Sequence, residues 1–87
     1  MDKPRERQTA WRSEVQRLAD ALQEATARAD WERLDALERA LAPLLRVRPP
    51  VVPLDDVDRM ALTRLRHAHD AAALAAAALV VALRRRR

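Results

Sequence analysis

Residues 28–46 read RADWERLDALERALAPLLR, and the phase of their apolar side chains decides whether the first half of this chain is one long helix or two. Before this stretch, Trp11, Val15, Leu18, Leu22, Ala25 and Ala29 step by 4, 3, 4, 3 and 4, which draws one stripe along a helix. Carrying that phase forward would seat Glu32, Ala36, Arg39 and Pro43 on the stripe. The apolar residues stand instead at Trp31, Leu34, Leu37, Leu41, Leu44 and Leu45. The break falls at Asp30, whose short carboxylate can accept hydrogen bonds from the free amides of a helix start. The stretch therefore predicts a turn between helix one, over about 9–29, and helix two, over about 30–47. Thr9 or Asp2 is the expected cap of helix one, and Ser13 with Gln16 has capping-box spacing as well. Asp35 and Arg39 form an i,i+4 pair on the outer side of helix two. Pro43 lacks an amide hydrogen and crowds the carbonyl of Arg39, which predicts a kink or an early stop there.

Beyond helix two, RVRPPVVP sets Pro49, Pro50 and Pro53 too close together for helix, so residues 48–54 are expected to form a stiff extended connector. Asp55 then offers a cap with Asp58 three residues on, and Asp55, Asp56 and Asp58 all sit where the helix dipole favours acids. Helix three is expected over about 55–86. Its stripe runs Leu62, Leu65, His69, Ala72, Ala76, Leu79 and Leu83, yet Leu74, Val80 and Val81 lie off it. From Ala71 to Leu83 the helix is apolar all round, and such a helix is normally buried on more than one side. The expected fold class is all-α, a single domain forming a small antiparallel three-helix bundle, with self-association left open.

Composition agrees with helices that need company. Of 87 residues 19 are alanine, and there is no glycine, isoleucine, phenylalanine or tyrosine, so helix propensity is high and bulky core material scarce. A chain of this length buries only about 60–65 % of the surface its unfolded form exposes. The absence of cysteine excludes disulfides and thiolate metal sites. MDKPRERQTAW lacks the apolar core of a signal peptide, and a cytoplasmic location is expected. Residues 1–83 carry 13 basic and 13 acidic side chains, so Arg84–Arg87 supply the whole net charge of +4.

The C-terminal stretch admits several roles. The thirteen uncharged residues 71–83 span about 20 Å as a helix, short of the roughly 30 Å hydrocarbon core, so no membrane span is expected. An interfacial helix would show bulky apolar residues on one face, and this one is mainly alanine. The arginines can hold phosphates non-specifically, but no aromatic platform or recognition motif accompanies them, and specific nucleic-acid binding is not expected. Docking of another helix, from a partner protein or from a second copy as a homodimer, is the favoured reading.

Catalytic chemistry is not expected. His67 and His69 point about 200° apart on a helix and cannot readily share a metal, and no cofactor is implied. His69 is expected to face the bundle, partly buried. Asp55 and Asp56 read as helix-start residues rather than an acid and base, and Ser13 is the sole serine. Trp11 and Trp31, the two aromatics, are expected to anchor helices against each other.

The run from ALQEATARADWERLDALERALAPLLR through LDDVDRMALTRLRHAHDAAA resembles the FliT-like flagellar export chaperones of bacteria. Their hallmark is an Asp-Trp pair opening the second helix, here Asp30 and Trp31, followed by leucines at helical spacing, here Leu34, Leu37 and Leu41; Ala29 stands where a glycine often precedes the pair. The resemblance spans about residues 15–75. It implies a small helical bundle that keeps the filament-cap protein soluble before export by an apolar helix surface. That surface maps here onto Leu62, Leu65, Ala72, Leu74, Leu79 and Val80, with Leu83 beyond them. Members commonly carry a further C-terminal helix that masks the surface.

Overall fold

A computed structural model describes residues 3–46 and 54–86. Three helices follow in order, α1 (Lys3–Ala27), α2 (Trp31–Arg46) and α3 (Asp56–Arg85). The turn foreseen at Asp30 is there, and its chemistry is explicit. The Asp30 amide donates to the Ala25 carbonyl at 2.9 Å and the Ala29 amide to the Thr26 carbonyl at 3.1 Å, the paired bonds of a Schellman motif. That motif needs a left-handed residue, and Ala29 takes it with φ of 53°. One residue later the Asp30 carboxylate accepts the Arg33 amide at 3.1 Å and caps α2.

Helix α1 begins well before the expected residue 9. Pro4 falls in its first turn, where a missing amide costs nothing. Thr9 is therefore no cap: its hydroxyl donates to the Arg5 carbonyl one turn back, at 3.0 Å. The apolar stripe does not reveal this extension, because the buried residue of this segment, Gln8, is polar and bonds to Asp58. The alternative cap Asp2, and the proline connector up to Pro53, lie outside the described residues. Ala29 leaves the stripe of α1, which ends at Ala25. Helix α2 runs on through Pro43 to Arg46, so no stop occurs at the proline.

Helix α3 starts with a full capping box: Asp55 accepts the Asp58 amide at 2.8 Å, and Asp58 accepts the Asp55 amide at 3.2 Å. Its second role was not foreseen. Asp58 is 1 % exposed, and it takes hydrogen bonds from Gln8 Nε2 at 2.7 Å and from the Arg12 guanidinium at 3.3 Å, both on α1. Arg12 also reaches Asp55 at 3.5 Å. Burial alone would raise the Asp58 carboxyl, but the hydrogen bonds from Gln8 and the Asp55 amide, with the Arg12 charge, outweigh it and hold it below the usual carboxylate value.

These contacts set the topology. Gln8 meets Asp58 and Asp20 meets Arg64, so α1 and α3 run parallel. Glu38 meets His69, while Trp31, earlier in α2, lines one groove with Ala76, Leu79 and Val80, later in α3, so α2 runs antiparallel to α3. Successive helices thus alternate in an up-down-up bundle of 61 × 21 × 20 Å. Helix α1 packs against both others. The core consists of Val15, Leu18, Ala19, Leu22 and Ala25 from α1, Leu34, Leu37 and Leu41 from α2, and Ala61, Leu65, Ala68 and Ala72 from α3. Trp11, Trp31, Leu44 and Leu62 pack at its margins, half-buried. Helix α3 gives the core mostly alanines, so α1 can approach it closely.

Candidate protein-binding groove

The stripe of α3 is buried only while it has α1 to lie against. Leu65 and Ala72 are 3 % and 4 % exposed, whereas Leu83 is 55 % exposed. Helix α1 ends at Ala27, and α3 continues for about three turns past Ala72, flanked only by the start of α2. The result is an open groove of about 430 Å³ between the first two turns of α2 and the outer half of α3. Trp31 and Leu34 form one wall; Ala72, Ala73, Ala76, Leu79 and Val80 form the other. Asp35, Glu38 and His69 close its inner end. There His69 Nδ1 donates to Glu38 Oε1 at 2.8 Å, since a carboxylate can only accept, and this bond ties α2 to α3.

The seven residues assigned to binding therefore separate into groups. Leu79 and Val80 line the groove, and Leu83 continues their side of the helix one turn on. Leu65 and Ala72 are corrected: both are core residues pressed against α1, and although Ala72 touches the groove floor, neither offers a free surface. Leu62 is half-buried at the core margin. Leu74 is 73 % exposed but points about 160° away from Ala76, so it belongs to the opposite face of α3 with Val81. In α2, Leu34, Leu37 and Leu41 are core, Asp30 is the cap, and Trp31 has a double use as core margin and groove wall.

Sequence reasoning missed Ala73, Ala76, Asp35 and Glu38 as groove residues. One signal for the groove was present: the stripe from Leu62 to Leu83 is longer than the stripe from Trp11 to Ala25 that covers it. The walls themselves depend on α2 crossing beside α3, which no local pattern specifies.

Among the described residues no group of three or more His, Asp or Glu side chains is placed to hold a metal ion. The expectation of no membrane span needs qualification. It rested on the uncharged residues alone, whereas α3 is long and apolar enough over an 18-residue window to cross a bilayer by length and composition, and 17 % of that window is buried. Ala68 and Ala72 anchor this part of α3 to α1, so insertion would strip them from the core. The chain matches no protein-family model, no curated protein and no solved structure.

Proposed function

We propose that this chain is a non-catalytic, cytoplasmic protein-binding module that holds an amphipathic helix of a partner protein in the groove between α2 and α3. The observation that carries the reading is the apolar stripe of α3 outlasting its own bundle beside Trp31. A helix laid there would bury anchors spaced i, i+3 or i+4 and i+7 against Leu34, Ala76, Leu79 and Val80. Each leucine it fully buries contributes about 1.5–3 kcal/mol before ordering costs.

The resemblance of the Asp30-Trp31 region to FliT-like flagellar export chaperones gives this partner a class: the filament-cap protein awaiting export. The Trp31 of that pair lines the groove, which joins the motif to the surface.

The test is titration of the chain with a peptide carrying the C-terminal segment of a filament-cap protein. Saturable binding that is lost in Ala76→Arg, with helix content unchanged, supports the chaperone reading. Absence of binding by the wild-type chain, or equal binding by Ala76→Arg, would sink it.

A further inference from the structure

The face of α3 turned away from the bundle carries a pattern that the groove does not use. Asp70, Leu74, Ala77, Val81 and Arg84 follow at steps of 4, 3, 4 and 3, and so form one stripe. All five are exposed; Leu74 is 73 % and Val81 46 % exposed. The stripe carries one acid, Asp70, at its inner end, a turn after Arg66, and two bases, Arg84 and Arg85, at its outer end. Among the described residues Asp70, Arg84 and Arg85 take part in no ion pair, while most other acids of the bundle do. Arg66 and His67 precede Asp70 by one turn on the same helix, and no residue of α1 or α2 covers this face.

We infer that a second copy of the chain covers it, with the two α3 helices antiparallel and their two-fold axis near Ala77 and Ala78. Charge complementarity selects this occupant. Turning the stripe end for end about a point between Ala77 and Ala78 brings Asp70 of each copy to Arg85 of the other, with Arg84 beside it, and Leu74 to Val81. The same residues satisfy each other twice, as a two-fold interface requires. A parallel pair would set arginines against arginines. At the centre, Ala77 and Ala78 let the backbones come close, and both bundles remain outside with their grooves open. The contact covers about four helical turns and is smaller than an obligate interface. The inference is independent of the groove reading, because it concerns the opposite face and the chain alone.

Sedimentation equilibrium of the full chain, from about 10 µM to about 1 mM, tests it. The expected mass rises from one chain to two, and Leu74→Asp holds it at one. Asp70→Arg alone, and Arg84→Glu with Arg85→Glu, should each weaken association about tenfold. All three changes together should restore it, because the charges are then exchanged rather than lost. All of these residues are exposed, and circular dichroism checks that helix content is kept. A single-chain mass throughout overturns the inference, and so does a dimer indifferent to Leu74→Asp or one that the exchanged charges do not rescue. A chain that stays monomeric yet floats with phosphatidylcholine–phosphatidylserine vesicles would assign the face to a lipid surface instead.

Discussion

Two single residues carry more of this fold than their types suggest. Asp58 caps its own helix and accepts hydrogen bonds from Gln8 and Arg12 of another, so it welds the starts of α1 and α3 together. Asp58→Asn should cost about 1–3 kcal/mol in urea unfolding at neutral pH, because a buried network loses its charged acceptor. The sign of the pH effect follows from the lowered carboxyl. The stabilisation is complete above the ordinary aspartate value near pH 4 and disappears as pH falls through the lower folded value. Acid titration of the wild type should therefore show stability falling below about pH 4, with a shallower fall in Asp58→Asn. Ala29 is the converse case. An alanine in left-handed geometry strains the turn, and Ala29→Gly should raise stability by about 0.5–1 kcal/mol, read as a higher thermal midpoint.

Among the elements, α2 is the shortest helix and carries a proline, Pro43, in its interior rather than in its first turn. Its continuation through Pro43 leaves the Arg39 carbonyl without its helical donor, and Leu41 and Leu44 on either side of the proline hold the last turn against the core. Pro43→Ala should therefore stabilise the protein by about 1–3 kcal/mol in denaturant titration. Unchanged stability would mean that packing, and not the hydrogen-bond ladder, sets the strength of this turn. Helix α3 divides in burial at Ala72. Its inner half is core, so Leu65→Ala should cost about 2–5 kcal/mol, whereas truncation of Leu83 to alanine should change stability by under about 0.5 kcal/mol.

At the level of the whole molecule, unequal helix lengths produce the uncovered apolar surface. Three helices of equal reach would have closed on each other. Here α3 overruns α1 by about three turns and exposes a groove on one side and a charge-bounded stripe on the other. Trp31 reports on the groove directly. With Trp11→Phe leaving it as the sole tryptophan, its emission should shift to the blue when a partner helix fills the groove, and dimerisation through the far face should leave it unchanged.

Three helices, their turn at Asp30, the capping box at Asp55 and the core leucines were all legible in the amino-acid order. Each depends on neighbours within a turn or two, where helical periodicity and short capping side chains act. The apolar stripe does not extend to the start of α1, because Gln8 and Arg12 there meet polar partners some fifty residues away. The point along the last helix at which its cover ends is not legible in the amino-acid order either. Its apolar pattern is nearly uniform, and whether Ala72, Leu74 or Leu79 meets protein or solvent depends on where α1 happens to end and where α2 crosses. Local chemistry determined which segments coil and which faces repel water; only the tertiary arrangement decided which of those faces stayed uncovered, because burial is a property of the neighbours and not of the residue.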